Sequence, residues 1–432
     1  MEKNILQVAL DFTELSRAIK AAKEAVEGGA DWLEAGTPLI KSEGLDAIRE
    51  LKRLFPDIPI VADMKTMDVG RLEVEIAAKA GAFCVTVLGA ASSKTIEESV
   101  EAGKNYGAAI CVDLLGVEED KELIEFCEKI GVDHFTIHLP VDEQMLGSCP
   151  VELVKKVRSL TKLPISVAGG IHSENVAEII KGGADIIIVG GAITKSEDAR
   201  KATQDIKRAM VEKIVIPTRL YKRVSEDRIK DIFIEVSTPN ISDAMHRGGV
   251  IEGIYPVTGS CKMVGRAVTV RTYPGDWAKP VEAIDVAGED NVIVVDAGGL
   301  PPAVWGELAT HSAINKKIAG VVIYGGIRDI DEIRKLKFPA FTKIICPNAG
   351  EPKGFGEINI PIKINNIIIE PGDWIIGDDN GLVRVPKKDG VEIANRAMDV
   401  LEKENRIRKE IKEGGTLSSV TELLRWEKTI VK

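Results

Sequence analysis

The segment Asp63-Met-Lys-Thr-Met-Asp68 sets one lysine between two carboxylates. That spacing suits keeping Lys65 ionised while the acids bind a hydroxyl or a metal ion. More acids stand at or just past the ends of other short apolar runs: Asp11 after Leu6–Leu10, Glu34 inside Trp32-Leu-Glu-Ala35, Asp113 near the end of Ala108–Leu114, and Asp142 shortly after His138. Taken alone, Asp113 reads as an N-cap for the helix behind it. Taken together, the acids point to a site that handles protons and hydroxyls. Imidazole titrates near neutral pH, so His138 is the candidate for proton transfer, whereas His134, His172, His246 and His311 are assigned no role. Two glycine pairs complete this set, Gly169-Gly170 after Ala168 and Gly190-Gly191 after Val189. One such pair is usually a tight turn. Two in matching places let backbone N–H groups approach an anion with no Cβ in the way, which reads as a phosphate cradle.

A second set lies in the other half of the chain. Gly306-Glu307-Leu308 opens an expected helix whose free N–H groups suit a carboxylate. Arg328-Asp329 follows the apolar run from Ile323, where a forked cation can hold a carboxylate and the acid a divalent metal. An isolated Arg-Asp is ordinarily a surface ion pair. Asp378-Asp-Asn-Gly381 reads as a turn between strands, with no calcium-loop spacing.

The elements that must position these residues alternate regularly from Ile5 to about Met210. Eight short β-branched runs are expected as strands: Leu6–Asp11, Trp32–Ala35, Ile58–Asp63, Phe83–Leu88, Ala108–Leu114, His134–His138, Ile165–Ala168 and Ile186–Val189. Amphipathic stretches such as Thr13–Glu27, Gly44–Leu54, Val69–Ala80 and Glu118–Ile130 are expected as helices between them. Eight such units predict an α/β fold with an N-terminal (β/α)8 TIM barrel over residues 1–212. Its chemistry would sit where the carboxyl ends of the strands open. A proline-bearing basic stretch, 213–225, reads as a linker. Residues 226–432 then predict a C-terminal layered α/β domain that starts with two short helices and ends in a charged helix, Gly390 to Gly414, and an amphipathic segment, Ser418 to Lys428.

Composition bounds the function. The 432 residues include 44% hydrophobic and 29% charged positions with 40 Gly and 19 Pro, which excludes disordered, collagenous and coiled-coil chains. A net charge of −10 argues against direct nucleic-acid binding, which needs clustered cations. No run approaches the ~18–20 apolar residues that span a bilayer, so no membrane contact is expected and the expected location is cytoplasmic. The six cysteines have no metal or disulfide spacing and are expected to be reduced.

With these residues in place, the first half resembles the orotidine-phosphate-decarboxylase superfamily. The resemblance rests on Leu6–Asp11, Glu34-Ala-Gly-Thr-Pro38, the DxKxxD of Asp63–Asp68, His138 and the two glycine pairs. Within that superfamily it is most similar to the 3-hexulose-6-phosphate synthases, because His138-Leu-Pro-Val-Asp-Glu-Gln144 resembles their HxxxDxQ. Gly190-Gly-Ala-Ile-Thr194 also lacks the arginine usual in the 3-keto-gulonate-6-phosphate decarboxylases. The resemblance implies a reversible aldol reaction between formaldehyde and ribulose 5-phosphate, with Mg²⁺, or Mn²⁺ in its place, near Glu34 and Asp63. It further implies that Lys65 neutralises an enediolate, that Asp68 orients or charges the lysine, that His138 moves the proton, and that Asp11 and Asp142 hold substrate hydroxyls. The second half, about Glu226–Ala397, resembles the regulator of ribonuclease activity A and the related 4-hydroxy-4-methyl-2-oxoglutarate aldolases. The signature is an acid, 20 intervening residues, then Arg-Asp. This implies Asp329 on Mg²⁺, Arg328 on an oxoacid and Glu307 supporting water or proton transfer, with Glu where many members have Asp. Both resemblances imply homo-oligomers. The alternative is a decarboxylase barrel with a regulatory or oligomerising second module.

Overall fold

The computed structural model describes residues 4–117, 120–145, 150–218, 223 and 226–421. The chain divides into two compact units. One is Met1–Arg223 together with Glu402–Lys432, and the other is Val224–Leu401. The division falls inside the expected linker, but the final segment groups with the first unit, not with the second domain to which the sequence assigned it. The expected segment Ser418 to Lys428 lies beyond the described residues after Thr421.

The first unit is a closed parallel barrel of eight strands in sequential order: β1 (Ile5–Leu10), β2 (Trp32–Ala35), β3 (Ile60–Thr66), β4 (Cys84–Leu88), β5 (Ala109–Asp113), β6 (His134–His138), β7 (Ile165–Ala168) and β8 (Ile186–Val189). β1 pairs with both β2 and β8, which closes the ring. The two-residue period of a strand decides which side chains go where. Leu6, Val8 and Leu10 pack outward into the main core with the helices, while Gln7 and Ala9 alternate with them. The outer helices bury small stripes: α1 (Leu15–Glu27) puts Ala18, Ala21, Ala22 and Ala25 at helical spacing against that core.

Two local departures from the expected elements have clear causes. The helix expected over Gly44–Leu54 forms as α3 (Asp46–Leu54), but a further helix, α2 (Thr37–Glu43), precedes it and ends at Gly44, which takes φ +68°. β3 runs past Asp63 to Thr66. Its register against β4 shifts between Ala62 and Thr66, and Lys65 sits in the left-handed region at φ +48°. Such a bulge re-aims side chains at a strand end.

The helix Gly390–Lys412 returns the chain to the barrel. There Arg406, 3% exposed, pairs with Glu24 of α1 at 2.8 Å and donates to the Ser196 carbonyl at 2.9 Å. Lys20 and Glu413 add an exposed pair at 2.8 Å.

The second unit is built on a ten-stranded mixed sheet. Its centre is parallel, with Met263–Arg271 beside Asn291–Asp296, then Gly320–Ile327, then Ala340–Ile345. Trp374–Asp378 and Gly381–Val385 extend it antiparallel. Asn291–Asp296 is nearly all apolar because both of its faces are covered: Ile293 and Val295 enter one core, Val292 and Val294 another. Asp378 to Gly381 forms the expected turn, with the Asp378 carboxylate accepting from the Asn380 N–H at 2.9 Å. Among the described residues no helix is long and apolar enough to cross a membrane, and the five described cysteines are free.

Candidate active site

The carboxyl ends of the barrel strands gather the first set of residues. Lys65 donates to Asp63 Oδ1 and to Asp113 Oδ2, each at 3.0 Å. Asp113 is only 1% exposed. Asp63 is held from three sides, since its carboxylate also accepts from Thr37 at 2.7 Å and from Thr86 at 2.9 Å. Burial alone would push the Asp63 carboxyl up. The adjacent ammonium and these hydrogen bonds outweigh burial and bring it below its ordinary value. Burial likewise works against a charged Lys65, and the carboxylates of Asp63 and Asp113 hold it above the usual lysine range. The cluster is therefore an ionised lysine clamped between the side chains of Asp63 and Asp113.

Two further acids lack such compensation. Glu34 is buried and pushed well above the carboxylate range by burial, then by Asp63 and Asp11, against a hydrogen bond from Gln7. Asp11 is raised by burial and by Asp63, with His138, Lys65 and Lys195 opposing. The mouth thus holds more carboxylates than nearby cations can balance.

That imbalance bears on a metal ion. Among the described residues no group of three or more acid, His or Cys side chains is arranged to hold one. Mg²⁺ commonly takes one or two carboxylates and completes its shell with water and substrate oxygens. Glu34, which lacks a cation of its own, beside the ionised Asp63 fits that mode of binding.

The structure corrects one sequence expectation. The second acid on Lys65 is Asp113, reached from the end of β5, and not Asp68. Asp68 is exposed and turns its Oδ1 to the Val69 N–H at 2.8 Å. Nor does Asp113 cap the following helix. It accepts the Leu115 N–H at 3.0 Å, and Asp120 is the cap residue. Gln7, Thr37 and Thr86 also went unnoticed in the sequence, although Thr37 lies in the quoted Glu34–Pro38 segment. Gly36 in that segment has a physical reason to be glycine, because a Cβ there would come within 2.2 Å of Asp11 Oδ1.

Gly169 and Gly170 follow β7 at φ +107° and +65°, and Gly190 with Gly191 follows the neighbouring β8. A Cβ at Gly169 would approach the Leu139 carbonyl to 2.6 Å, so close backbone approach as well as φ demands glycine. His138 ends β6 in the same mouth. Asp142 lies on the short helix Val141–Met145 with its side chain outside the described residues.

The second unit has its own cavity, about 1010 Å³, whose lining includes Trp305, Gly306, Glu307, Leu308, Arg328 and Asp329. The sheet and the helix Glu307–Asn315 bring the three expected residues together. The Glu307 N–H donates to Asp329 Oδ2 at 3.2 Å, and Arg328 Nε stands 3.5 Å from the same oxygen. A Cβ at Gly306 would meet Asp329 Oδ2 at 2.6 Å. Glu307 also pairs with His311 one turn along, at 2.9 Å, a partner the sequence reading passed over. Arg328 and Asp329 keep 43% and 42% of their side chains exposed, so water screens this group as it does not screen the barrel's.

Comparison with known proteins follows the same division. Residues 4–206 match the family described as Orotidine 5'-phosphate decarboxylase / HUMPS family, and residues 238–384 match Aldolase/RraA. An uncharacterized protein of Methanocaldococcus jannaschii is 40% identical over 199 residues, 45% of this chain and 95% of that one. The 3-hexulose-6-phosphate synthase of Bacillus subtilis is 36% identical over 208 residues, 48% of this chain and 99% of its own. A crystal structure of 3-hexulose-6-phosphate synthase from Salmonella typhimurium shares 33% identity, covering 48% of this chain and 99% of that chain at a TM-score of 0.47.

Proposed function

We propose, from the premise that the chain belongs through its first half to the orotidine 5'-phosphate decarboxylase / HUMPS family, that its barrel is a 3-hexulose-6-phosphate synthase. The reaction joins formaldehyde to ribulose 5-phosphate, or releases it from the hexulose phosphate. The observation that carries this reading is Lys65 clamped between Asp63 and Asp113 beside the uncompensated Glu34. Taking a proton from C1 of the ketose puts negative charge on two adjacent oxygens. A fixed ammonium 3.0 Å from its acids costs no reorganisation when that charge appears. His138 exchanges the C1 proton, and the new carbon–carbon bond then forms between C1 and the formaldehyde carbon. The resulting alkoxide takes a proton from the same acid–base set. Asp11 and Asp142 hold the sugar hydroxyls, and Gly169, Gly170, Gly190 and Gly191 offer backbone N–H groups to the phosphate.

Glu34 and Asp63 would hold Mg²⁺, or Mn²⁺ in its place. Bound there, the ion supplies positive charge to the enediolate oxygens. The test is formaldehyde release from hexulose 6-phosphate with and without Mg²⁺, comparing the whole chain with Asp63→Ala. Metal-dependent release that disappears in the variant is expected. Folded protein that releases carbon dioxide from 3-keto-gulonate 6-phosphate and no formaldehyde from the hexulose would overturn the reading.

For the second unit the supported reading is an oxoacid aldolase-like site. Arg328 would bind the oxoacid carboxylate, Asp329 a divalent ion, and Glu307 a water or proton. Cleavage of 4-hydroxy-4-methyl-2-oxoglutarate by the whole chain, lost in Arg328→Ala, is the expected result. Absence of cleavage together with altered assembly in the variant favours a regulatory or oligomerising module. Light scattering of the native chain tests the expected homo-oligomer directly.

A further inference from the structure

The barrel has a second opening. At the amino ends of the strands lies a cavity of about 370 Å³, walled by Trp32, Phe83 and His134 and edged by Asp133 and Asp185. The first residues of β2 and β6, Trp32 and His134, contribute two of its three rings. Trp32 meets Phe83 edge to face at 5.3 Å and His134 at 6.4 Å between ring centres.

Three features separate this cavity from an ordinary packing defect. Phe83 leaves 44% of its surface exposed although an aromatic neighbour is in contact with it. His134 is 94% buried, being 6% exposed, and among the described residues neither of its ring nitrogens makes a hydrogen bond. Neither nitrogen belongs to the sealed side-chain atoms left without a partner, so both are reachable from the cavity. Finally, among the described residues each rim acid spends only one oxygen on a partner. Asp133 Oδ2 accepts the Ile110 N–H at 2.7 Å, and Asp185 Oδ2 takes Arg158 at 2.6 Å and the Ile165 N–H at 2.8 Å. Burial pushes the His134 imidazole down to about 4, against the opposing charge of Asp133. At neutral pH it is an uncharged ring with one donor and one acceptor.

We propose that this amino-terminal mouth is a binding site for a planar, uncharged or cationic nitrogen heterocycle bearing N–H donors, of nucleobase size. The rings stack on or edge against such a ligand. His134 offers its free nitrogen, and the spare carboxylate oxygens of Asp133 and Asp185 accept from the ligand's donors. Among the described residues no Lys or Arg lines the cavity, and two acids stand at its rim, so anionic rings and phosphorylated forms are disfavoured. The site is distinct from the catalytic mouth: His134 and His138 stand at opposite ends of one strand, four residues and roughly 13 Å apart along it.

The test titrates adenine into the full-length chain by calorimetry, with benzoate as an anionic ring of similar shape. Saturable adenine binding with a Kd of about 1 mM or tighter, weakened at least tenfold in Phe83→Ala and unchanged in Asp63→Ala, is expected, with benzoate giving no saturable heat. His134→Leu is the second variant should Phe83→Ala not fold, and it should weaken binding similarly. Adenine binding displaced by ribulose 5-phosphate would place the ligand in the catalytic mouth and overturn the proposal. So would binding indifferent to both Phe83→Ala and His134→Leu, equal binding of benzoate, or no saturation up to about 10 mM.

Discussion

Two clusters, each of one cation and two acids, sit in the two units under opposite physical conditions. In the barrel mouth, Lys65 keeps 23% of its side chain exposed while Asp63 keeps 9% and Asp113 1%. In the second unit, Glu307 keeps 28%, Arg328 43% and Asp329 42%. Charges removed from water interact strongly and must be matched. Charges left in water gain little from each other and can be removed cheaply. The barrel has therefore tied its chemistry to its stability, whereas the second unit keeps the two largely independent.

The substitution with the largest expected effect is Lys65→Met. Formaldehyde release should fall by about 10² to 10³, as for loss of a preorganised charge stabiliser. Denaturant unfolding should also show the barrel losing about 3–5 kcal/mol, because two buried carboxylates lose their cation. Activity within tenfold of the native chain would remove the ammonium from the reaction and break the contrast. Asp113→Asn should come next, with release lowered about tenfold to a hundredfold while the variant remains folded. An unchanged rate would mean that Asp63 alone positions the lysine.

Glu34→Gln probes the cost of the mouth's excess acid. The folded-state carboxyl of Glu34 lies above its unfolded value, so the folded protein holds a proton that the unfolded chain releases first. Stability is thus lost as pH rises from the ordinary carboxylate range through the raised folded value. In chelator at neutral pH the variant should melt at a higher temperature than the native chain, and the thermal gain should shrink toward pH 4.5, while with Mg²⁺ present it should release less formaldehyde. A variant that melts lower at neutral pH would contradict an uncompensated Glu34. The smallest effect belongs to Arg328→Ala, whose unfolding free energy should stay within about 0.5 kcal/mol of native while any oxoacid cleavage is lost. A clear fall in stability would show that the second cluster, too, supports its fold.

Much of the barrel was legible because a strand's period and length are local properties. β2, β6, β7 and β8 have the expected bounds, and the eight cycles close as a ring. β3 did not follow, since a bulge at Lys65 is set by pairing with β4 and leaves no periodic mark. The acids of the site were legible by type. Their partners were not: Lys65 reaches Asp113 across 48 residues and Gln7 reaches Glu34 across 27, distances that only the folded ring brings to contact. His134 opens an expected strand in the sequence, as it does in the fold. That its nitrogens lack partners emerges only when every neighbouring donor and acceptor has been placed.

The return of helix Gly390–Lys412 to the barrel has a consequence for how the protein comes into being. All eight strands leave the ribosome before the second domain has begun, yet Arg406, the guanidinium that pairs with Glu24, lies 382 residues later in the chain. A nascent barrel must therefore persist through synthesis of the whole second unit with the α1 carboxylate still awaiting its cation. A gene cut after Arg223 would encode every strand and every acid of the mouth but leave the Glu24 carboxylate without the Arg406 guanidinium.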